Sequence, residues 1–168
     1  GDFRYEAGGY FSDDKVYLYS EGNPSTVYSR IEIAQSENVI GLKSGVTVEN
    51  VAVKYAGGHG MQGSNNLQNV TVRYCEVGYI GSRLGEEHPL GNGIEFGNGG
   101  SNLEASYNYV YQCYDSGITP QTYTAGYGFD NVRITNNLLT NNFYGMEIWA
   151  KENSKLANIL VEGNIIAD

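Results

Sequence analysis

Short runs in which apolar and polar residues alternate are the dominant pattern of the chain, and glycine-containing segments separate them. An alternation with a period of two is typical of β-strands that bury one face, and glycine is typical of the tight turns between strands. Long amphipathic helical runs are missing from the sequence. We therefore predict an all-β fold. The alternating runs are residues 46–50, 70–74, 103–108, 132–137 and 159–164.

Four glycine-centred segments align with one another and reveal a repeat. The apolar residue that follows the glycine recurs at Met61, Ile94, Ile118 and Met146, with intervals of 33, 24 and 28 residues. Units of this length suit the coils of a solenoid, in which equivalent residues stack from one coil to the next. We predict stacked coils over residues 46–166 with these four residues in one buried column. A β-sandwich is the alternative, but it predicts Asn-Gly or Asp-Gly hairpin turns, which are scarce here.

A recurring asparagine supports the stacked arrangement. Asn108, Asn137 and Asn164 each lie five positions after the apolar residue that starts their run. A side-chain amide has both donors and an acceptor, so stacked asparagines can bond from one coil to the next. We expect these three residues to form an internal ladder at a turn of the solenoid.

The runs, with strands of the type Asn69-Val70-Thr71-Val72 followed by a Gly-apolar strand, resemble the parallel β-helix repeat proteins of the pectin-lyase-like superfamily. The resemblance covers residues 31–168, and residues 1–30 resemble the strand pair that precedes the helix in many bacterial members. It implies a right-handed parallel β-helix, a carbohydrate substrate or ligand, and an extracellular location. Members are chiefly polysaccharide lyases, glycoside hydrolases and esterases, and phage tailspikes and adhesins share the architecture.

Charge and composition narrow the classes of partner. The 19 acidic and 10 basic residues give a net charge of −9, which disfavours binding to the phosphates of nucleic acids. No apolar run approaches the ~18 residues of a membrane span. Cys75 and Cys113 have no metal-ligand spacing, which favours buried free thiols.

The sequence stops in mid-pattern at Ile165 and Ile166, so we expect a fragment of a longer helix that self-associates through an uncovered edge.

Three carboxylates are the candidate catalytic groups. The residues that follow the inward column are expected to share one exposed outer face: Gln62, Glu95, Thr119 and Glu147. With strands ~4.8 Å apart, Glu95 and Glu147 are roughly 10 Å apart at the backbone, and an inverting glycosidase needs ~6.5–9.5 Å between its carboxyls. Asp115 is the third candidate, and it meets Glu95 only if the chain bends at Gly117. The alternative is that all three are solvated or turn residues.

Four other side chains are candidates for binding substrate. His59 lies in the column of Tyr144, and Trp149 follows Glu147 by two positions, which places an aromatic platform for sugar stacking on the same face. The longest interval predicts a loop insertion at 81–91, which contains Glu86, Glu87 and the fourth candidate, His88. Incidental exposure or a structural role remains the alternative for each.

We therefore expect a polysaccharide- or oligosaccharide-processing enzyme, first a glycoside hydrolase that uses Glu95 and Glu147 or Asp115. A polysaccharide lyase is the second enzymatic possibility, but it needs a basic residue and a cation, and the predicted face has almost no Lys or Arg. A non-catalytic glycan-binding, adhesin or tailspike-like module is the alternative outside the enzymes. No cofactor is expected. Calcium bound by clustered carboxylates is left open.

Overall fold

A computed structural model of the chain describes residues 9–12, 15–32, 35, 37–84 and 88–168. The chain divides into two compact units, Gly1–Ile33 and Ala34–Asp168. The first contains an antiparallel hairpin of β1 (Gly9–Ser12) and β2 (Lys15–Leu18), followed by a one-turn helix, α1 (Pro24–Val27). Asn23 caps α1 because its side chain accepts a hydrogen bond from the Ser25 N–H at 3.1 Å.

The second unit consists almost entirely of short strands. In chain order they are β3 (Ile40–Gly41), β4 (Thr47–Glu49), β5 (Ala52–Ala56), β6 (Met61–Ser64), β7 (Leu67–Arg73), β8 (Glu76–Ile80), β9 (Ser82–Leu84), β10 (His88–Leu90), β11 (Ile94–Gly97), β12 (Gly100–Ser106), β13 (Tyr109–Cys113), β14 (Ser116–Thr122), β15 (Phe129–Thr135), β16 (Leu138–Thr140), β17 (Tyr144–Met146), β18 (Trp149–Ala150), β19 (Leu156–Glu162) and β20 (Ile165–Ala167).

Within the described part of this unit, three parallel sheets each take strands from five successive coils. Sheet 1 has the order β3-β6-β11-β14-β17, with β18 also paired to β14. Sheet 2 has the order β4-β7-β12-β15-β19, and sheet 3 has the order β5-β8-β13-β16-β20. The hairpin of β9 and β10 is antiparallel and projects between the second and third coils. This topology confirms the predicted parallel solenoid, and the β-sandwich alternative is wrong.

The core is the column of inward residues that the repeat predicts. Met61 pairs with Ile94, Ile94 with Ile118, and Ile118 with Met146. The first three are fully buried, whereas Met146, in the last coil, is half-buried and packs against the core. The interior positions of sheets 2 and 3 continue the core with valine, leucine and isoleucine. Burial of this continuous apolar column is the main favourable contribution to folding.

A glycine immediately precedes the inward residues Met61, Ile94, Ile118 and Met146 of sheet 1, and this glycine corner decides which residues face outward. A Cβ atom at Gly60 would lie 2.6 Å from the Gly93 carbonyl oxygen and would point at Val77 in the core. The position therefore faces inward, as does the next residue, Met61. Since two consecutive residues face inward, the chain turns there, and the residues on both sides of the corner reach the same outer surface. The only side chain that fits so close to the next coil is glycine.

The asparagine ladder predicted from the sequence is confirmed. The backbone N–H and the side-chain amide of Asn108 both donate to Asn137 Oδ1, at 2.9 and 3.0 Å. Asn137 makes the same two bonds to Asn164 Oδ1, both at 2.9 Å. The residues just before them adopt left-handed backbone conformations, with φ of 55° at Tyr107 and 56° at Asn136. The ladder satisfies polar backbone groups that the turn would otherwise leave unpaired inside the protein.

We expect Asn137→Asp to destabilise the solenoid strongly. Asn137 Nδ2 donates to Ala105 O and Asn164 Oδ1, both at 2.9 Å, so a carboxylate there faces two acceptors inside the core. An unpaired buried charge costs about 3–5 kcal/mol. The measurement is urea denaturation at neutral pH.

The matched control is Asn131→Asp, which adds the same charge to an exposed asparagine. Asn131 Nδ2 donates to Asn102 Oδ1 at 2.8 Å on the surface, and aspartate tolerates the left-handed backbone that this position adopts (φ 54°). We expect a loss near 0.5 kcal/mol, as for ordinary surface changes. Equal losses in the two variants would show that the buried ladder does not stabilise the coil.

Candidate active site

The candidate site lies on the outer surface of sheet 1, beside the glycine corners. Strand register pairs Glu95 with Gln62 on one side and with Thr119 on the other, and Glu147 N donates to Ile118 O at 3.2 Å. The predicted column is therefore confirmed. The prediction that the column is exposed is wrong for Glu95 and Thr119, which are fully buried.

Glu95 is buried because neighbouring polar side chains surround its carboxylate. Oε1 accepts hydrogen bonds from Gln62 Nε2 at 3.1 Å and from the hydroxyl of Tyr123. Oε2 accepts one from Asn92 Nδ2 at 2.8 Å. Gly97 provides the space, since a Cβ atom there would lie 2.9 Å from Glu95 Oε1. A buried carboxylate is costly unless donors satisfy it, and here three do.

Further asparagines fix the orientation of these donors. Asn38 Nδ2 donates to Gln62 Oε1 at 2.5 Å, which directs the amide nitrogen of Gln62 towards Glu95. Asn98 Oδ1 accepts from the Tyr123 N–H at 2.9 Å and so holds the backbone of the turn that carries Tyr123. The pocket around Glu95 is thus built from three consecutive coils.

His59 completes the surroundings of the buried carboxylate. Its Nδ1 accepts a hydrogen bond from the Asn92 N–H at 3.1 Å, which selects the neutral tautomer with hydrogen on Nε2. Burial lowers the pKa of His59, and the charge of Glu95, whose Oε2 is 3.3 Å from Nδ1, opposes that shift only in part. The imidazole is therefore uncharged at neutral pH, and the charge of Glu95 has no cationic partner there.

Asp115 and Glu147 lie beside this buried pair. Ser116 connects Glu147 to the surroundings of Glu95. Its hydroxyl donates to Glu147 Oε2 at 3.1 Å, and its N–H donates to Oδ1 of Asn92 at 2.9 Å. Asp115 is half-buried, and burial raises its pKa from 3.8 to about 6, with further contributions from the charges of Glu147 and Glu95. Glu147 is also half-buried. The corner at Gly117 is the bend that the sequence required for Asp115 to approach Glu95.

Sheet 1 is interrupted at Glu147. β14 pairs with β17 through Ile118 and Met146, and with β18 through Gln121 and Trp149. The gap between β17 and β18 lies opposite Pro120, which has no N–H to donate to the neighbouring coil. Glu147 therefore lies in the sheet column without being part of a strand.

Exposed aromatic side chains lie on both sides of Glu147 along the chain. On one side, the rings of Phe143 and Tyr144 meet edge to face, with centroids 4.7 Å apart. On the other, the rings of Tyr123 and Trp149 lie 6.3 Å apart at 38°. The four are 69%, 50%, 41% and 42% exposed, respectively. Single exposed rings are common, but two pairs beside a carboxylate cluster form a surface suited to stacking.

Some predicted site residues lie outside this cluster. Glu86 and Glu87 lie outside the described residues, and so does the side chain of His88, whose backbone belongs to β10. The hairpin of β9 and β10 ends just before Asn92. The Asp115 N–H donates to Gly91 O at 3.4 Å, so the base of this hairpin adjoins the site. The predicted substrate-binding roles of His59, Tyr144 and Trp149 stay predictions.

Sequence reasoning missed two contributors to the Glu95 pocket. They are Asn92 and Tyr123, whose side chains both donate to Glu95. Asn92 contacts Glu95, three residues later, because the chain turns between them at a glycine corner. The second follows from Asn98, which caps the turn of the next coil. A glycine at position 97, two after Glu95 on an outward position, was the available signal of a closely packed neighbour.

The right-handed β-helix region family matches residues 14–168, and the chain belongs to this family. Neither the curated proteins nor the solved structures gave a match to the chain. In the part of the chain that the structure describes, no helix is long and apolar enough to cross a membrane. The same residues contain no group of three or more His, Cys, Asp or Glu side chains that could hold a metal ion.

We expect Glu95→Gln to lower the pKa of Asp115 below about 6, because the negative charge of Glu95 is one of the causes that raise it. Carbon-13 NMR of the side-chain carboxyls, recorded against pH, measures this without any substrate. The control Glu104→Gln removes one negative charge from a half-buried position on sheet 2 and is expected to leave the titration of Asp115 unchanged.

An unchanged Asp115 titration in Glu95→Gln would contradict the electrostatic link between the two residues. Urea denaturation should accompany the titration, because the new amide places an NH₂ group among three donors. An unsatisfied buried group of this kind costs about 1–3 kcal/mol. The measurement therefore needs conditions in which the variant is fully folded.

Proposed function

We propose that this β-helix is a glycoside hydrolase domain in which Asp115 is the general acid and Glu147 is the second catalytic carboxylate. The observation that carries the proposal is the pKa of Asp115, raised to about 6 in a half-buried position beside two other carboxylates. Carboxyls with distinct environments, close together on one surface, are what hydrolysis of a glycosidic bond requires.

Asp115 suits the role of acid because it holds its proton at a pH where ordinary aspartates have lost theirs. Burial and the neighbouring charges of Glu147 and Glu95 all disfavour its ionised form. In the reaction, the Asp115 carboxyl proton passes to the glycosidic oxygen as the bond between that oxygen and the anomeric carbon breaks. The leaving sugar departs with that proton as a hydroxyl.

Glu147 suits the role of the second carboxylate because one of its oxygens is held and the residue stays partly accessible. Ser116 Oγ donates to Glu147 Oε2 at 3.1 Å, which fixes the orientation of the carboxylate. The carboxylate either accepts a proton from the attacking water or attacks the anomeric carbon itself, and water then hydrolyses that intermediate. Both routes consume one water. If Glu147 attacks the anomeric carbon, the hydrolysing water gives its proton back to Asp115; if Glu147 accepts the proton of the attacking water, proton exchange with solvent then restores both carboxyls.

Glu95 has a different role in this proposal from the one that the sequence suggested. Its carboxylate is fully buried and accepts bonds from Gln62, Asn92 and Tyr123, so it is not placed to exchange protons with a substrate. Its fixed negative charge instead helps to keep Asp115 protonated. Glu95 is therefore a positioning residue that acts through Asp115.

Hydrolysis is favoured over a lyase reaction by the charges around the site. A lyase that acts on uronates needs a base and a cation to stabilise the substrate carboxylate. Among the described residues, the Lys and Arg ion pairs are Arg30–Glu32, Lys54–Glu76 and Arg73–Glu49, none of which involves a site carboxylate. The location we propose is extracellular, as expected for a protein that acts on polysaccharides.

A non-catalytic glycan-binding module is the second candidate, and the exposed aromatic pairs favour it. Stacking on Tyr144 and Trp149 provides affinity without any proton transfer. Under this alternative, the aromatic residues matter for binding, whereas replacing Asp115 by asparagine has no effect beyond a small change in affinity.

We expect Asp115→Asn and Glu147→Gln each to lower kcat by 10²–10⁴-fold, the usual contribution of a general acid or base. Asp130→Asn and Glu162→Gln, at exposed positions of β15 and β19, are the matched controls. The assay is a polysaccharide panel with detection of reducing ends and of unsaturated products. Near-normal turnover in both site variants would leave the binding module ahead, and unsaturated products would indicate a lyase.

The pH dependence of kcat/KM should follow the ionisation of Asp115. Since the general acid must carry its proton, kcat/KM is expected to fall about tenfold per pH unit above the pKa of about 6. An alkaline limb that lies well above pH 7 would contradict the assignment of Asp115 as the acid.

Asp115→Asn should also stabilise the folded protein at neutral pH. The folded state binds the Asp115 proton more tightly than the unfolded state, so stability falls as pH rises from 3.8 to about 6 and stays lower above it. Asparagine removes that cost. Because Asp115 is partly exposed and screened by solvent, we expect a gain on the order of 1 kcal/mol. Thermal unfolding at pH 7.5 and pH 3.5 tests this, since the ionisation part of the gain should be absent at the lower pH.

A further inference from the structure

We infer that the substrate is an uncharged glycan that crosses the outer face of sheet 1, bound by one aromatic pair on each side of Glu147. This inference deepens the proposed function and rests on it for the site of cleavage. It adds the class of substrate, the path of the glycan across the sheet and the position of the bond that is cleaved.

The order of residues along the last coils indicates the path of the glycan across sheet 1. Tyr144 pairs with Ser116 and Trp149 pairs with Gln121, so the two lie on opposite sides of the Thr119–Glu147 position. Five residue steps separate Tyr144 from Trp149, which corresponds to at most ~16 Å of extended chain. This is longer than one sugar ring, and Glu147 lies between the two ends. A glycan that contacts both aromatic pairs therefore places an internal linkage over Glu147, with Asp115 on the side of the Phe143–Tyr144 pair.

Tyr123 ties the second aromatic pair to the catalytic centre. Its hydroxyl donates to Glu95 Oε1, while its ring lies against that of Trp149. Gln121 Nε2 donates to the same hydroxyl at 3.0 Å, so the ring is held from two directions. The tyrosine is fixed before a ligand arrives, and a fixed ring loses little entropy when a sugar stacks beside it. The Tyr123–Trp149 pair is thus a rigid platform.

The charges decide the class of glycan. The charges of Glu95 and Glu147 act on the centre of the face, where both raise the pKa of Asp115, and the buried His59 is neutral there. Within the described residues, the Lys and Arg ion pairs lie elsewhere. A polyuronate or a sulfated glycan would bring further negative charge to the same surface, and like charges in partly buried positions repel strongly. A neutral chain with hydroxyl groups fits amide and hydroxyl partners instead.

The test measures binding separately from turnover, with the full chain carrying Asp115→Asn. The probes are neutral hexasaccharides (xylohexaose, mannohexaose, cellohexaose and maltohexaose) and hexagalacturonate, titrated by calorimetry. We expect one of the neutral probes to bind at least tenfold more tightly than hexagalacturonate and than its own monosaccharide. Trp149→Ala and Tyr144→Ala, added one at a time, should each weaken binding by five- to tenfold.

The controls are Tyr55→Ala and Tyr74→Ala, which remove equally exposed tyrosines from sheet 3 and the turn before it. We expect them to leave binding unchanged, with circular dichroism confirming that all variants are folded. Weaker glycan binding in only one of the variants Tyr144→Ala and Trp149→Ala would overturn the crossing geometry. Equal or tighter binding of hexagalacturonate, or no binding of any neutral probe, would overturn the substrate class.

The same experiment separates this inference from the proposed function. Tight binding of a neutral hexasaccharide without any turnover by the unsubstituted protein would contradict the hydrolase and leave the binding face in place. Hydrolysis of polyuronates by the unsubstituted protein would support the hydrolase and contradict the neutral substrate. With a neutral polymer as substrate, we expect a mixture of oligosaccharides, and release of monosaccharide alone would contradict cleavage of internal linkages.

Discussion

The in-register backbone bonding between successive coils is the constraint on which the rest of the structure depends. Every strand of sheets 1, 2 and 3 pairs in parallel with its equivalents in the neighbouring coils. Because a slip of one residue would turn each apolar side chain outward, the register is fixed by the core. The same register places outward residues above one another. Side chains that are 33 residues apart in sequence, such as Gln62 and Glu95, become hydrogen-bonded neighbours.

This constraint explains why one buried charge can exist on the outside of the solenoid. Glu95 faces away from the core, yet the turn held by Asn98 brings Tyr123 over it, and Gly97 leaves the space for both. Burial of a carboxylate is unfavourable unless donors replace the lost water. The coils before and after supply those donors in a fixed geometry, so the entropy of orienting the donor side chains is already lost when the solenoid folds. The result is a buried carboxylate whose charge contributes to the raised pKa of Asp115.

The fold could be predicted from the sequence to a large extent, because the features that determine it are periodic. The apolar column of Met61, Ile94 and Ile118 and the ladder of Asn108, Asn137 and Asn164 follow from spacing alone. The site could be predicted only in part. Alternation identifies Glu95 as outward, but whether an outward residue is buried depends on turns such as the one that carries Tyr123. The interruption opposite Pro120 likewise arises from a contact between two coils.

The separate environments of the three carboxylates explain how one acidic cluster can divide its tasks. Glu95 is enclosed by donors, Glu147 is held by Ser116 at a break in its strand, and Asp115 is half-buried beside two negative neighbours. Donors favour an ionised carboxylate, whereas burial and like charges favour a protonated one. Because its ionisation destabilises the fold, Asp115 is also well suited to donate a proton. Instability at Asp115 and its proposed chemistry have the same physical origin.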